Sequence, residues 1–157
     1  MDSPAKSGVR VVARFRDGEV VKGYLDLIPA GDFQSLVEGA PAPLPPEVDI
    51  RRADSGTSMP LPLRSLKALF FVKTFEGRKE HQEVRFFEKN PPIKGLWVRG
   101  MFYDGECFEG IVRNTIHYVV EPGFFLKPPD PHSNNEIFYV VKEALTDFHV
   151  LGVRKDF

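Results

Sequence analysis

The sequence of 157 residues lacks the features that several common classes of protein require. Its single cysteine, Cys107, excludes an internal disulfide. No apolar run approaches the ~20 residues of a membrane-spanning helix, and no long stretch repeats its apolar residues with a helical period. A net charge of −1 and a pI near 6.4 give no overall attraction for a polyanion. We therefore expect no membrane partner, and nucleic acid is not the first candidate partner.

The amino-terminal residues MDSPAKSG also lack the charged start and apolar core of a secretion signal. Together with the single cysteine, this favours a cytoplasmic location. The composition is 42% hydrophobic and 27% charged, with 14 Phe, which is enough for a packed interior and a polar surface. We expect a globular chain.

One short phrase occurs twice. FRDGEVVKG at residues 15–23 and FYDGECFEG at residues 102–110 share five identities at a shift of 87 positions. Asp-Gly favours a β-hairpin, because the turns that match strand twist need positive φ at their central residues. Gly23 and Gly110 follow inside a strand pattern, where glycine is typical of a bulge or a sharp bend. The closing runs match at a shift of 78, which places Leu66, Phe70 and Val72 opposite Ala144, Phe148 and Val150.

The rest of the chain reads as short strands between turns. VRVVARF (9–15) and EVDIRRA (47–53) alternate apolar and polar residues, whereas LKALFFVKTF (66–75) is apolar on both faces at its centre. We predict an all-β protein of two tandem small bent β-barrels related by the internal repeat. The first repeat spans 8–74, a connecting segment with one strand, EVRFF, spans 75–95, and the second repeat spans 96–153. The two cores are expected to be filled or bridged by Phe70, Phe71, Phe102, Phe124, Phe125 and Trp97.

No reaction centre is evident. Cys107 occupies the place of Val20 in the first copy, so we interpret it as a small buried apolar residue and not as a nucleophile. The four histidines lie far apart, without the spacing of a metal site. The carboxylates of the two Asp-Gly-Glu turns are expected to be solvated. We therefore predict no enzymatic activity, no cofactor and no metal.

Two groups of residues are candidates for binding. Asp130, His132, Asn134 and Asn135 could gather around an ion or a polar ligand, although the same residue types also form the turns of an ordinary loop. Arg10 and Arg14 match the RxxxR spacing of the PilZ family of cyclic dinucleotide receptors, but the second PilZ motif is absent. The two arginines are also spaced as outward residues of one strand.

The repeat resembles the Sm and Sm-like RNA-binding proteins, which are strongly bent five-stranded barrels. The resemblance rests on Val11, Phe15, Asp17-Gly18, Gly23, Asp32-Phe33 and Leu36 in the first copy and on Val98, Phe102, Asp104-Gly105 and Gly110 in the second. The basic Gly-Asp motif that contacts RNA is absent from both copies. Over nearly its whole length, through DGExxxG, LKALFFVKTFEG and PGFFLKPPDPHSNNEIFYVV, the chain resembles a group of uncharacterised bacterial proteins with a domain of unknown function. That resemblance implies a bacterial, cytoplasmic protein without an established activity.

These observations favour a non-catalytic binding module, an adaptor or regulatory protein that recognises a protein partner through a sheet edge or an aromatic patch. Single-stranded RNA binding of the Sm-like kind is the alternative, with aromatic residues stacking beside local basic residues. A PilZ-like cyclic dinucleotide receptor comes third. Fusion of two copies is expected to replace a homodimer contact within one chain, because repeated units bury faces that neither covers alone. A homo-oligomer is a further expectation.

Overall fold

The computed structural model describes residues 8–26, 44–76, 95–113, 120–130 and 133–154. The described residues are all-β, with ten strands and two single-turn 3-10 helices, Leu63–Ser65 and Lys142–Ala144. The strands are β1 Val9–Phe15, β2 Val20–Leu25, β3 Glu47–Arg52, β4 Ser58–Pro62, β5 Leu66–Val72, β6 Gly95–Phe102, β7 Cys107–Val112, β8 Gly123–Leu126, β9 Asn135–Val141 and β10 Leu145–Arg154. The strand predicted at EVRFF lies outside the described residues.

The ten strands form two antiparallel sheets. One sheet has seven strands in the order β4-β3-β2-β1-β5-β9-β8, and the other has three in the order β10-β6-β7. An antiparallel bridge between Ile111 and Lys127 joins β7 to β8, with both N–H···O distances at 3.0 Å. The strands of the first half therefore follow the order β4-β3-β2-β1-β5, and those of the second half follow β9-β8-β7-β6-β10 through that bridge.

The two Asp-Gly corners have the same hydrogen bonds. Phe15 N–H donates to Glu19 O at 2.9 Å, and Phe102 N–H donates to Glu106 O at 2.8 Å. In each corner the aspartate Oδ1 accepts the N–H of the residue two positions on, and the glycine has a positive φ, +95° at Gly18 and +88° at Gly105. A residue with a side chain is strained at such a φ, so the glycine of each turn is required by the backbone.

The shift between the closing strands is 79 residues, and the 78 predicted from the apolar pattern is wrong by one. Arg16 N–H donates to Ser65 O, and Tyr103 N–H, 87 positions later, donates to Ala144 O. Ser65 and Ala144 are thus counterparts, 79 positions apart. A bulge follows each of them, at Lys67 in β5 and at Thr146 in β10. The two bulges are themselves 79 positions apart, which agrees with this shift, and apolar periodicity alone does not locate a bulge.

The sheet crosses from one half of the chain into the other, and this differs from the expected pair of separate barrels. Strand β5 pairs with β1 on one side and with β9 on the other, from Ala68 opposite Val140 to Val72 opposite Asn135. The described strands form two open sheets, of seven and three strands, and not two closed barrels. The physical reason is that β5 is apolar on both faces, as the sequence predicts. A strand buried on both faces is away from water, so the backbone N–H and C=O groups at both of its edges need partners.

Two cores result, and strand β5 contributes to both. Phe71 belongs to the first core, Phe102 and Phe124 belong to the second, and Phe70 and Phe125 pack partly buried against the second and the first respectively. These five positions agree with the prediction. Trp97 does not, because it lies half-buried outside both cores and donates its Nε1–H to Glu109.

Candidate functional site

A cleft lined by aromatic side chains lies where the two halves meet. It encloses an empty volume of ≈ 520 Å³, including the part open to solvent, and strands β5, β6, β7 and β9 provide its walls. We call it the aromatic cleft. Its lining residues are Phe70, Phe102, Glu106, Cys107, Phe108, Glu109, Pro128, Pro129, Asn135 and Phe138.

The four phenylalanines of the cleft form one connected group. The rings of Phe70 and Phe138 are stacked with centroids 5.3 Å apart, and those of Phe102 and Phe108 are 5.1 Å apart. An edge contact between Phe108 and Phe138 at 6.1 Å joins the two pairs. Phe138 and Phe108 are buried and Phe70 is partly exposed, so the cleft presents an apolar wall that is continuous with the second core. Such a wall suits an apolar ligand group.

Two prolines account for the opening of the cleft. Strands β7 and β8 are joined at the bridge between Ile111 and Lys127, and the next hydrogen-bonded pair along this ladder would be Glu109 and Pro129. Proline has no N–H, so neither Pro128 nor Pro129 can donate to β7. The ladder cannot continue with its normal pattern, and the chain after β8 becomes the opposite wall of the cleft.

A buried lysine crosses from the first half to the cleft rim. Lys67, the bulged residue of β5, has a side chain only 8% exposed, and its Nζ donates to Asp104 Oδ2 at 2.8 Å and to Glu106 Oε1. The ammonium also lies over the Phe102 ring, 4.7 Å from its centroid. Burial lowers the pKa of Lys67, but the two carboxylates outweigh it and leave the pKa above its ordinary value. The hydrogen bond from Lys67 lowers the pKa of Asp104.

The cluster of Lys67, Asp104 and Glu106 at the rim therefore carries a net negative charge, since two carboxylates meet one ammonium. The expectation that both Asp-Gly-Glu turns are merely solvated is wrong for the second turn. The carboxylates of Asp104 and Glu106 are 41% and 44% exposed, yet both bind Lys67. Asp17, in the first turn, is exposed and accepts the Glu19 N–H within its own turn.

A second buried charge lies in β7. Glu109 has a fully buried side chain, and its Oε1 accepts the Trp97 Nε1–H at 2.7 Å while its Oε2 accepts from Arg99 Nη2 at 2.9 Å. Arg99 is opposite Glu109 in the pairing of β6 with β7, so the strand register fixes this ion pair. A carboxylate satisfied in this way stabilises one arrangement of the cleft wall, because a buried charge needs such partners.

Cys107 is exposed at the rim of the cleft, and the prediction that it is buried is wrong. Its counterpart Val20 is also exposed, at 43%. Both residues begin the strand that follows an Asp-Gly turn, where they pair with the preceding strand and remain exposed.

Comparison with known proteins gives a family but no activity. A family model matches residues 7–152, which is nearly the whole chain. The chain belongs to DUF6982, a family of unknown function. No curated protein and no solved structure matches it. The resemblance to uncharacterised proteins with a domain of unknown function is therefore confirmed, and the assignment to DUF6982 brings no catalytic residue with it.

The two arginines singled out in this DUF6982 chain lie on the exposed face of β1. Arg10 Nη1 donates to Lys73 O at 3.1 Å, and the Arg14 guanidinium lies 5.8 Å from the centroid of the Phe70 ring. Each is thus engaged with β5 or the residues just after it. Arg14 reaches the side of Phe70, a cleft residue, whereas Arg10 does not line the cleft.

Only part of the polar loop at residues 130–135 lines the aromatic cleft. Asn135 lines it, while the Asn134 side chain continues the pairing of β5 with β9 by binding Thr74, with Oδ1 3.1 Å from Thr74 N and Nδ2 2.8 Å from Thr74 O. Asp130 is buried, and its backbone carbonyl accepts the Ser133 N–H. His132 lies outside the described residues.

Neither a metal site nor a membrane-spanning helix occurs in the described part of the DUF6982 chain. No group of three or more His, Cys, Asp or Glu side chains there could hold a metal ion. Within the same residues, no helix is long and apolar enough to cross a membrane. The cleft could not be predicted because its walls come from β5, the β6–β7 hairpin and β9, which are distant from one another in sequence. In the sequence, the feature that points to the cleft is the Pro128-Pro129 pair, which ends a strand.

Proposed function

We propose that the chain is a non-catalytic binding module whose aromatic cleft receives an apolar side chain of a protein partner. The observation that supports the proposal is the wall of four phenylalanines, each on a different strand and all reaching a cleft that is open to solvent. Buried, connected aromatic walls with a polar rim are typical of pockets for an anchoring side chain. The proposed role is that of an adaptor or regulatory protein, and we place it in the bacterial cytoplasm.

The rim indicates the chemistry of the partner. Asp104 and Glu106 leave one negative charge after the ammonium of Lys67 is counted. A peptide segment with an aromatic or aliphatic side chain next to a lysine or arginine therefore fits this site better than an acidic segment. The same negative rim disfavours the phosphates of RNA, so RNA binding becomes an outcome of the test and not the proposal.

The proposal also includes an internal duplication of a five-strand unit as the scaffold. Support comes from the matching hydrogen bonds of the two Asp-Gly corners and from the equal strand order in the two halves. In such a scaffold, the first hairpin corner provides an internal control for the second. Position 20 corresponds to position 107, but Val20 does not line the cleft.

Photo-crosslinking from the single cysteine tests the proposal. A benzophenone maleimide on Cys107 stands at the cleft rim, and the control chain carries Cys107→Val and Val20→Cys so that the same probe stands at the first corner. We expect a protein adduct from position 107 that resists nuclease and is missing from position 20. The crosslinked segment should contain an apolar residue beside a basic one.

A synthetic peptide of that segment completes the test. It should bind the unlabelled chain, and Cys107→Trp, which fills the cleft from an exposed position, should weaken binding by about tenfold or more, as expected for a blocked anchor pocket. Val20→Trp should leave the affinity unchanged. Equal adducts from both positions, an adduct that nuclease removes, or a peptide that binds Cys107→Trp as well as the unaltered chain would refute the proposal.

A further inference from the structure

The outer edge of β4 cannot offer the normal hydrogen bonds of a sheet edge. Leu63, just after β4, donates its N–H to Pro46 O at 2.9 Å, toward β3. The direction of the N–H groups alternates along an antiparallel strand, so positions 61 and 59 also face β3 and positions 62 and 60 face outward. Ser58 also faces outward, and the next two positions on this side of the strand are both proline. The edge of β4 therefore lacks two successive donors, which is a known protection against edge pairing.

The corresponding strand of the second half shows what these prolines replace. Lys142 N–H donates to Pro122 O at 3.0 Å, so it holds the place of Leu63. By the same alternation, Tyr139 and Val141 direct their N–H groups away from β8 and toward β5, and β9 is indeed paired with β5. Prolines thus stand in β4 at the two positions where its counterpart donates to a neighbouring strand.

The opposite end of the array has no proline, and its irregularities are two bulges, at Thr146 and Leu151. Among the described residues, β10 is the edge of the three-stranded sheet, and it runs for ten residues without a proline. Its counterpart in the first half is β5, which has a neighbour on both sides. A long edge strand without proline is a ready template for another strand.

The apolar face of β10 continues the second core to this open edge. Phe148, Val150 and Val153 lie opposite Gly100, Val98 and Leu96 of β6. Residues opposite one another share a face of the sheet, so all three are on the face of the second core. The Phe148 ring contacts Phe124 at 5.4 Å. Val150 and Val153, however, are 49% and 54% exposed.

We propose that the outer edge of β10 pairs with β10 of a second copy of this chain, antiparallel about a two-fold axis. The sequence of β10 suits such a contact because the bulge between Val150 and Gly152 keeps Phe148, Val150 and Val153 on one face of the strand, where the same residues of the second copy can join them. Since β4 is blocked, β10 is the edge that both copies can offer, and a two-fold contact joins identical surfaces. The second core then continues across the dimer.

The test is the mass of the full chain in solution at increasing concentration. Sedimentation velocity is expected to show a reversible species of twice the 17.8 kDa of one chain, and nothing larger. Val150→Lys or Val153→Lys places a charge on the joined apolar face, and either should raise the dissociation constant by about tenfold or more. Val20→Lys is the matched control, because Val20 is 43% exposed and lies far from β10 in the sheet order.

Circular dichroism keeps the result interpretable, since each variant must retain the β spectrum of the unaltered chain. A monomer at every concentration, a dimer that both lysine variants leave intact, or larger assemblies of the unaltered chain would overturn the inference. Slow amide exchange along β10 in a monomer would do the same and would mean that the chain's own residues 77–94 or another segment cover the edge. Cys107→Trp should leave the dimer unchanged, so this test is separate from that of the cleft.

Discussion

The charged cluster of Lys67, Asp104 and Glu106 predicts an asymmetry between removing the cation and removing the anions. Lys67 is 8% exposed, whereas the two carboxylates are 41% and 44% exposed. If Lys67→Met removes the ammonium, the carboxylates recover water, and the loss is limited to hydrogen bonds that are already half in solvent. We expect a decrease of about 1–2 kcal/mol in the free energy of unfolding.

The reverse change leaves a buried ammonium without its counter-charges. Asp104→Asn with Glu106→Gln keeps the shape of both side chains and the Asn oxygen for the turn, but Lys67 then faces the Phe102 ring with neutral partners. We expect a loss of about 3–5 kcal/mol, as for other buried pairs with one partner removed. The triple variant should return to the level of Lys67→Met, because the buried charge is gone.

Urea denaturation, followed by the fluorescence of the single Trp97 and by circular dichroism, measures all three values. The matched control is Asp17→Asn with Glu19→Gln in the first corner, which should change stability by less than about 0.5 kcal/mol as an exposed substitution. The reasoning is refuted if Lys67→Met costs as much as the double carboxylate variant, or if the triple variant is the least stable of the set.

Three further predictions concern pH, close packing and the blocked edge. The stability advantage of the unaltered chain over Lys67→Met should be lost as the pH falls below 3.8 through the lowered pKa of Asp104, and again as it rises above 10.5 through the raised pKa of Lys67; thermal melting across pH measures both limits. Gly23→Ala and Gly110→Ala should each destabilise the fold by about 1–3 kcal/mol in urea, because an added Cβ would stand 2.5 Å from a carbonyl oxygen of the neighbouring chain segment, whereas Gly152→Ala, with its nearest atom at 3.3 Å, should cost less. Replacing Pro60 and Pro62 by alanine should restore outward N–H groups and produce species larger than a dimer by light scattering; unchanged mass would count against the alternation argument.

The individual strands and turns could be predicted because each signal occupies only a few consecutive residues. Asp17-Gly18 and Asp104-Gly105 fixed two turns, and the alternation of VRVVARF fixed the buried face of β1, with Val11 and Ala13 fully buried. The all-β class follows from these local patterns. The bulge at Lys67 could not be predicted, since an extra residue has no composition of its own.

The candidate site was harder to predict because it depends on neighbours that are distant along the chain. The pairing of β5 with β9 brings Phe70 to Phe138 across 68 positions, and nothing in either segment specifies that partner. Cys107 was misjudged for a related reason, since an apolar strand position does not reveal whether another strand covers it. The burial of Lys67 depends on two carboxylates in the other half, which charge counting along the sequence cannot reveal.

The pairing of β5 with β9 has a consequence for any attempt to divide the molecule. A cut inside residues 77–94 would leave an amino-terminal piece that ends in β5 and a carboxy-terminal piece that contains β9, each with an unsatisfied strand. Two such pieces, expressed separately, should reassociate through the β5–β9 pair. The chain is therefore a suitable starting point for a split reporter.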